Sequence, residues 1–371
     1  MAGKWRMWKR VILTFAIVFF VAVACIFGYL VFLIQGSKAK INGSLAFEEL
    51  IEPVEIFRDK YGIPHIFAQN RKDLYFAQGF VEAQDRLWQM DLLRRISDGH
   101  LSEIFGKEYL DADRFSMILG FKDLAERIFK NLDVQTRMEL EAYSEGVNAY
   151  INRYAHSLPL EFHFLRYRPD MWRPPDSIKS AIPLLWSLSF NFNEEVLYLK
   201  ISNKLGNKSA AALLPVYPKE GLNTSEVIPE LRKGRINLAW DFENLFSPVG
   251  FPMAHWASNA WVVGKEKSMT GGPLLANDPH LSVSIPAIWY EIHLISPAMN
   301  VVGASLPGMP YVMIGHNGQI AWGLAATMAD TIDLYMEKLN PNNPEEYQYD
   351  GKWRKMDKRR GLIRVKGRKD P

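Results

Sequence analysis

The feature that most constrains this chain is an uninterrupted apolar run close to its N-terminus. Residues 11–34 contain no charged side chain, and four Lys or Arg residues lie among the first ten. About 20 consecutive apolar residues are enough to cross a bilayer as a helix. The sequence therefore predicts a basic tip and a transmembrane anchor in residues 1–35. The basic residues predict that this tip stays in the cytoplasm.

A cleaved export signal is the alternative for the same segment. Signal peptides carry a shorter apolar region, which favours an uncleaved anchor. Residues 22–25 (AVAC) are similar to a lipoprotein cleavage site, but the apolar run continues beyond them. Both interpretations place the rest of the chain outside the cytosol. We expect a single-pass protein of the cell membrane, with its globular part in the periplasm or at the cell surface.

The composition of the sequence indicates which class of protein follows the apolar run. Of its 371 residues, 48% are apolar and 23% are charged, which is typical of a globular protein. A net charge of +3 gives no argument for a nucleic-acid partner. The single cysteine, Cys25, lies in the apolar run and excludes a disulfide framework.

The segment before residue 217 has mainly helical patterns after a short β entry. Alternation predicts strands at residues 54–59 and 65–68, joined by a turn. A helix follows, with Asp73 as its N-cap and Asp98-Gly99 as its end. Further helices are predicted at residues 136–154 and at 177–205, the latter ending at Gly206.

The charges on the first of these soluble helices have a simple interpretation. Asp91 and Arg95 are four residues apart and can pair on the exposed side. From their spacing alone, Asp85, Arg86, Arg94 and Arg95 are interpreted as parts of a solvated helix face. By contrast, residues 217–257 are rich in proline and lack apolar periodicity, which is typical of a linker or spacer.

A polar and then β-branched stretch follows this spacer. Residues 258–263 (SNAWVV) predict a buried strand that begins at Ser258. A polar turn at residues 265–272 leads to a second apolar strand at 273–276, followed by Asn-Asp-Pro-His at 277–280. A hairpin that starts with a serine could hold a nucleophile at the mouth of a sheet. The alternative is that Ser258 merely begins a strand.

Five ordered blocks resolve this choice. They are FRDKYGIPHI at residues 57–66; AQDRLWQMD at 83–91 with RR at 94–95 and Gly99; SNAWVV at 258–263; ANDPHL at 276–281 with WYE at 289–291; and GHNG at 315–318 with AWG at 321–323. In this order and spacing they resemble the penicillin acylases, which belong to the N-terminal nucleophile hydrolases.

The resemblance implies an α+β fold and a precursor that cuts itself. The fold is a four-layer αββα sandwich of two antiparallel sheets between helices, here incomplete, with a helical A segment around it. The A segment would cover residues 36–216, the spacer 217–257, and the front of the B segment 258–371. The peptide bond between Ala257 and Ser258 would be cut by the Ser258 hydroxyl. The A and B segments would then be partners within the mature protein.

The resemblance also implies the chemistry. A serine hydroxyl needs a base to become a good nucleophile. The α-amine of Ser258, freed by the cut, could serve through a bridging water, because its pKa lies near 8. Ala326 would donate its backbone N–H to the oxyanion, and His280 would orient the amine or donate toward the oxyanion. The alternative for His280 is a turn cap after Pro279. The family's second oxyanion donor lies beyond Pro371.

A calcium site and an acyl pocket complete the implied set. Ca²⁺ would be bound by the carboxylates of Asp330 and Asp333, the carbonyl of Ile332, and Glu195 or Glu194. The two aspartates are equally interpretable as ordinary loop-end residues. Leu281 and Ile314 match pocket positions, with Phe192 or Phe190 as a wall, although each alone is as compatible with ordinary core. The aliphatic pair favours an aliphatic acyl chain.

Two functions follow as hypotheses. The first is an amidohydrolase that cuts the linear amide of a penicillin-type side chain or of an N-acyl homoserine lactone, through an acyl-enzyme on Ser258. The second is a truncated, non-catalytic, membrane-tethered relative that only binds. The end of the sequence at Pro371 favours the second, whereas intact Ser258, Asn259 and His280 oppose it. A serine hydrolase with a histidine base has little support, since no Gly-x-Ser-x-Gly elbow occurs.

Overall fold

The computed structural model describes residues 2–189, 191–213, 254–326, 332, 335 and 337–368. Among them, helices α1–α10 cover Ala2–Gly36, Arg71–Asp98, Leu101–Phe105, Leu110–Leu119, Phe121–Asn131, Val134–Arg153, Leu160–Leu165, Pro174–Ser187, Asn191–Leu205 and Asn207–Leu213. Strands β1–β11 cover Glu55–Arg58, Pro64–Phe67, Ala254–Val263, Leu274–Leu281, Tyr290–Ser296, Met299–Leu306, Met309–His316, Ala321–Trp322, Leu339–Asn340, Asn343–Tyr349 and Lys352–Lys355. The predicted α+β class is confirmed.

These elements divide into two compact units. The first comprises Met1–Arg94, Ala125–Ile178 and Trp289–Gln319, and the second comprises Arg95–Leu124, Lys179–Ile288 and Ile320–Pro371. Each unit takes residues from both sides of the predicted spacer. Most of the spacer lies outside the described residues, so the boundaries of the A segment, spacer and B segment stay predictions.

Helix α1 contains the predicted anchor. Its segment Met7–Gly36 has 30 residues and a mean hydropathy of 3.0 in its most apolar window. At 1.5 Å per residue it is about 45 Å long, which exceeds the roughly 30 Å hydrocarbon core of a bilayer. The helix is therefore long and apolar enough to cross a membrane. A signal sequence near the N-terminus meets the same criteria of length and composition.

The sheet of the first unit follows the strand order β1-β2-β5-β6-β7. Neighbouring strands are antiparallel except for β2 and β5, where Ile66 pairs with Leu294 in parallel. The prediction of purely antiparallel pairing is wrong for this pair. More than 200 residues separate β2 from β5 in the sequence, and a long connection of this kind allows a strand to return in the same direction.

One face of this sheet packs toward helix α2. Ile66, Ile292 and Leu294 are almost wholly buried. Tyr290 shares the face of Ile292 and Leu294, because side chains alternate along a strand. Its hydroxyl donates to Asp85 of α2 over 2.5 Å. The face therefore belongs to the core of the first unit.

Helix α2 begins with a cap that differs from the predicted one. The side chain of Asn70 accepts a hydrogen bond from the Asp73 backbone N–H over 2.9 Å. Asp73 is buried inside the first turn, where its carboxylate accepts from the backbone N–H groups of Ile51 and Glu52. The prediction of Asp73 as N-cap is wrong, because a distant segment takes its oxygens. The predicted end is confirmed, with Gly99 at a φ of 69°.

Helices α2 and α6 approach each other through two glycines. A Cβ atom at Gly79 would lie 2.1 Å from the Tyr143 carbonyl oxygen, and one at Gly146 would lie 1.9 Å from that of Phe76. Only glycine fits at these two positions. The close approach brings Phe80 of α2 and Tyr150 of α6 into edge-to-face contact, with their ring centroids 5.8 Å apart.

The charged face predicted for α2 is instead largely buried. Asp91 pairs with Arg94 over 2.6 Å, and both partners are nearly inaccessible to solvent. Arg94 also bonds Asp176 over 3.2 Å and the carbonyl oxygen of Asp170 over 2.7 Å. Arg95 is likewise buried, and it pairs with Glu103. The solvated-face interpretation is wrong for Asp91, Arg94 and Arg95 because all three side chains are buried.

The later helices agree with the sequence except at one break. Helix α6 matches the prediction at residues 136–154 and is capped by Asp133, which accepts from the Thr136 N–H over 2.9 Å. The single helix predicted at 177–205 is two helices, α8 and α9. At the end of α8 the Ser187 hydroxyl donates to the carbonyl of Leu184 over 2.7 Å. Such side-chain bonds compete with continuation of a helix.

A buried carboxylate connects the helices and the sheet of the first unit. Glu82 of α2 accepts hydrogen bonds from Gln78, from the Tyr143 hydroxyl, from the Ser305 hydroxyl and from the Gly308 N–H. These donors come from α2, α6, β6 and the β6–β7 turn. Burial raises the pKa of the Glu82 carboxyl to about 7, against the opposing effect of the four donors.

The second unit contains its own buried carboxylate. Asp113 of α4 accepts from the backbone N–H groups of Leu101 and Ser102, both over 2.7 Å, and so caps helix α3. Lys179 of α8 pairs with Asp98 over 2.9 Å. The same unit contains the β3–β4 hairpin and a three-stranded antiparallel sheet in the order β11-β10-β9.

Replacing Arg94 should strongly destabilise the first unit. Arg94→Ala leaves Asp91 buried without its cation, and breaking a buried pair in this way costs roughly 3 to 5 kcal/mol. Chemical denaturation followed by tryptophan fluorescence measures the loss. The control is Arg114→Ala, because Arg114 pairs with Asp111 at an exposed site and such pairs contribute about 1 kcal/mol or less. Equal effects of the two changes would contradict the structural role of Arg94.

Glu82 should make stability depend on pH in a defined direction. Its folded pKa of about 7 is above the ordinary value of 4.5, so its contribution is full below pH 4.5 and is lost as pH rises through 7. The free energy of unfolding should fall by up to about 3 kcal/mol across this window. Glu82→Gln should remove that slope, whereas Glu145→Gln, at an exposed position of the neighbouring helix, should keep it. An unchanged slope in Glu82→Gln would refute the assignment.

Candidate active site

The predicted nucleophile lies in the β3–β4 hairpin of the second unit. Ser258 pairs with Pro279, and the antiparallel ladder continues to Val263 opposite Leu274. Strand β3 starts at Ala254, so the prediction that Ser258 begins the strand is wrong. Strand β4 runs on through Leu281 although Asn, Asp and Pro disfavour strands, because pairing with the longer β3 outweighs that preference.

The ladder is irregular beside the predicted cut. The register shifts between Ala254 and Ala257, so the ladder is interrupted at residues 255–256, and pairing resumes at Ala257 opposite His280. Opposite Ser258, Pro279 has no backbone N–H to donate to the ladder. Bulges leave residues unpaired and are frequent next to active sites. The interrupted part of the ladder therefore lies close to the bond between Ala257 and Ser258, although both of these residues are paired.

Alternation along the strands separates two groups of polar residues. Ser258 and Asn277 lie on one face of the hairpin, and Asn259, Asp278 and His280 lie on the other. The Nε2 atom of His280 is 3.0 Å from an Asp278 carboxylate oxygen and 3.3 Å from the Asn259 side-chain nitrogen. The ring of His280 thus contacts the neighbour of Ser258, and its predicted role toward the amine or oxyanion stays a prediction.

Asn277 makes a set of contacts that sequence analysis did not assign. Its side-chain oxygen accepts from the Leu324 N–H over 2.9 Å, and its amide nitrogen donates to the Leu324 carbonyl over 2.9 Å. The same nitrogen donates to the Asn259 carbonyl over 3.0 Å. A Cβ atom at Gly323 would lie 2.7 Å from Asn277. The available signal was an asparagine inside a strand, where this residue type is uncommon.

Ala326, the predicted oxyanion donor, lies two residues after Leu324 in an exposed irregular segment. Asn277 therefore holds the backbone just before Ala326 against the hairpin that carries Ser258. The donation by the Ala326 N–H itself stays a prediction. The geometry places its chain segment beside the nucleophile strand within one unit.

The predicted calcium ligands are only partly described. Asp330 and Asp333 lie outside the described residues, as does the side chain of Glu194. Ile332 and Glu195 are described and half-buried, Glu195 on helix α9. Within the described part of the chain, no three His, Cys, Asp or Glu side chains form a group that could bind a metal ion. The calcium site stays a prediction.

The predicted pocket residues are spread over both units. Leu281 ends β4 in the second unit and is half-buried. Ile314 lies on β7 in the first unit, opposite Ala304, and is also half-buried. The side chains of Phe190 and Phe192 lie outside the described residues. The shared acyl pocket therefore stays a prediction.

The first unit has a cavity of about 660 Å³ that sequence analysis did not anticipate. Its lining residues are Tyr61, Gly62, Ile63, Pro64, Asp85, Arg86, Trp289, Tyr290 and Glu291. Arg58 bonds Asp85 over 2.7 Å, and the guanidinium of Arg86 lies 5.5 Å from the centre of the Tyr290 ring. Burial raises the pKa of the Tyr290 hydroxyl, so this tyrosine stays a donor to Asp85. Asp85 is exposed and Arg86 is half-buried, so the solvated-face interpretation holds in part for these two residues, although Asp85 also binds Arg58 and Tyr290.

Comparison with known proteins identifies the class of this chain. It belongs to the penicillin amidase family, whose model matches residues 53–371. Family membership agrees with the resemblance carried by the five sequence blocks. It also agrees with the α+β fold.

The chain is also similar to individual proteins whose names include acylase. The chain is 34% identical over 334 residues to the acyl-homoserine lactone acylase QuiP of Pseudomonas aeruginosa, covering 88% of this chain and 39% of that protein. It is 32% identical over 349 residues to the penicillin acylase 2 proenzyme of Pseudomonas sp. strain SE83, covering 91% and 44%. A solved thermostable penicillin G acylase from Alcaligenes faecalis matches with 25% identity and a TM-score of 0.39, over 47% of this chain and 97% of that one. The chain spans about two fifths of the length of these two curated relatives.

Proposed function

We propose that the full-length protein is a self-processing amidohydrolase that cleaves linear amides through an acyl-enzyme on Ser258. The observation that carries the proposal is the position of Ser258 in the hairpin. It lies opposite a proline, one paired residue beyond a register shift of the ladder, and it shares a face with the residue that fixes the segment before Ala326. Family membership and the names of the two relatives support the same chemistry.

The first step is the cut that creates the amine. The Ser258 Oγ attacks the carbonyl carbon of Ala257, the C–N bond breaks, and the nitrogen takes the proton. The resulting ester between the Ala257 acyl group and Ser258 is hydrolysed by water, leaving a carboxylate at Ala257 and a free α-amine on Ser258. The word proenzyme in the name of one relative supports a precursor of this kind.

The freed amine then acts as the base for its own hydroxyl. Its ordinary pKa near 8 leaves much of it neutral near neutral pH, and a water relays the Oγ proton to it. The Oγ attacks the substrate carbonyl carbon, and the backbone N–H of Ala326 donates to the oxyanion. The leaving amine takes the proton as the C–N bond breaks. Water then hydrolyses the acyl ester and releases a carboxylic acid.

The substrate class follows from the relatives and from the predicted pocket. One relative is named for acyl-homoserine lactones and another for penicillin. Leu281 and Ile314 would offer an aliphatic surface, which favours N-acyl homoserine lactones with aliphatic chains over phenylacetylated penicillins. Hydrolysis of the former would quench quorum signals, and hydrolysis of the latter would serve antibiotic metabolism.

We propose further that helix α1 anchors this enzyme. Its length and apolar composition support a membrane-spanning helix, and the basic tip supports a cytoplasmic N-terminus with an extracytoplasmic catalytic part. Cys25 lies within this helix and is the single cysteine of the sequence. An epitope tag at the N-terminus marks the piece that contains this helix.

The test is expression of the full gene product with Ser258 intact or changed. The wild-type protein should appear as two pieces on a denaturing gel, with the C-terminal piece starting at Ser258. Ser258→Ala should leave one uncut chain without amide-hydrolysing activity. The control Ser268→Ala, in the turn of the same hairpin, should be cut and active. An epitope tag at the N-terminus should mark only the N-terminal piece, in the membrane fraction.

Three results would overturn these proposals. An uncut chain that hydrolyses amides at the wild-type rate would exclude the amine as base. Cutting that persists in Ser258→Ala would exclude Ser258 as its nucleophile. A mature N-terminus beyond residue 36 would exclude the anchor while leaving the enzyme proposal intact.

We propose that Ca²⁺ binds at Asp330 and Asp333, with the Ile332 carbonyl and Glu195 as further ligands. Hard carboxylate and carbonyl oxygens are the donors that Ca²⁺ prefers. The double variant Asp330→Asn and Asp333→Asn should lose tightly bound calcium, measured by metal analysis after dialysis against a chelator. The variant Asp350→Asn, in an exposed turn of the same unit, should retain it. Equal calcium content in both variants would exclude this site.

A further inference from the structure

We propose that Asn277 is a positioning residue that sets the geometry between the Ser258 nucleophile and the Ala326 oxyanion donor. The inference rests on the proposed function and adds to it a residue without an assigned role. It would act through the backbone of Leu324 and Asn259 rather than by contact with substrate. Its geometry is contained in the β3–β4 hairpin and the segment at residues 323–326.

The side-chain amide of Asn277 uses nearly all of its hydrogen-bonding groups. Both of its N–H groups donate, one to the Leu324 carbonyl and one to the Asn259 carbonyl, while its oxygen accepts from the Leu324 N–H. The two bonds to Leu324 determine which side-chain atom of Asn277 is nitrogen and which is oxygen. A backbone N–H can only donate a hydrogen bond, and a backbone carbonyl can only accept one. The side chain thus mimics one rung of a β-ladder to residue 324.

The same side chain connects the two halves of the site. Asn277 lies opposite Ala260 on the face of Ser258, as a diagonal neighbour of the serine across the strand pair. Diagonal neighbours in antiparallel strands lie about 7–8 Å apart. Asn259, whose carbonyl it binds, directly follows Ser258, and Leu324 precedes Ala326 by two residues. A shift of either backbone would therefore change the distance from the serine hydroxyl to the predicted oxyanion donor.

Gly323 provides independent support for this contact. A Cβ atom there would lie 2.7 Å from both Cβ and Cγ of Asn277 and 2.8 Å from its side-chain oxygen. Contacts this short do not occur, so a side chain at 323 would displace Asn277 or the segment. The close approach of backbone to the asparagine is therefore specific to glycine at this position.

The decisive variant is Asn277→Asp in the full gene product. The carboxylate has the same shape, but its oxygen faces the carbonyls of Leu324 and Asn259 where the amide donated. We expect kcat to fall about 10- to 100-fold, since a displacement of about 1 Å in catalytic geometry has effects of this size. KM should change less than about threefold. Gly323→Ala changes the other partner of this contact and should likewise lower kcat while leaving KM nearly unchanged.

A transition-state probe separates positioning from folding. An n-alkylboronic acid forms a tetrahedral adduct on the serine, and its affinity should fall in parallel with kcat. The matched n-alkylcarboxylic acid, a product analogue without the tetrahedral oxyanion, should bind Asn277→Asp as well as wild type. The control Thr270→Ala removes hydrogen bonds at the far turn of the same hairpin and should leave both affinities and kcat unchanged.

The outcomes distinguish this inference from the proposed function. Wild-type protein that neither cuts itself nor hydrolyses acyl amides overturns the function and the inference together. Active wild type with Asn277→Asp within about twofold in kcat overturns the inference alone. The inference also fails if KM and carboxylic-acid affinity change as much as kcat, or if Thr270→Ala has the same effect. Should Asn277→Asp fail to mature, Gly323→Ala decides by the same criteria.

Discussion

The first unit depends on one buried carboxylate that collects donors from separate parts of the chain. Glu82 accepts from Tyr143 of α6, from Ser305 of β6 and from the Gly308 N–H in the following turn. Removing a carboxyl group from water is costly unless its oxygens are bonded. The four donors meet that requirement, and they do so because the helix pair and the sheet bring them together around Glu82. The glycines of the α2–α6 contact serve the same arrangement, since a longer separation would draw the Tyr143 hydroxyl away.

The elements of this fold were predictable where periodicity carries the information. Alternation predicted β1 and β2, and helical spacing predicted α2 and α6 to within a few residues. The roles of the charged residues were not predictable, because their partners are remote. Asp73 bonds the backbone at Ile51 and Glu52, and Arg94 bonds Asp176. Local sequence patterns predict that such residues are caps or surface charges. In the folded structure they are buried and pair with residues that are distant in the sequence.

In the candidate site, too, some features were predictable from the sequence and others were not. The sequence blocks led to the family and to Ser258, and the polar turn predicted the hairpin. Register could not be predicted from these patterns, because a shift of one residue exchanges the two faces of a strand. The actual register places Asn277 on the face of Ser258 and His280 on the opposite face. The residue that tightly links the two strands to the segment before Ala326 is therefore one to which composition and spacing gave no role.

The pairing of β2 with β5 gives a physical reason why a cut before Ser258 is compatible with a stable first unit. Strand β2 precedes the proposed cut and β5 follows it, yet they share a parallel ladder that includes Ile66 opposite Leu294. Glu82, before the cut, holds Ser305 after it through a hydrogen bond of 2.7 Å. Backbone cleavage removes one covalent link and leaves these buried contacts intact. The local change, a new amine at Ser258, can therefore occur while non-covalent contacts hold the pieces of this unit together.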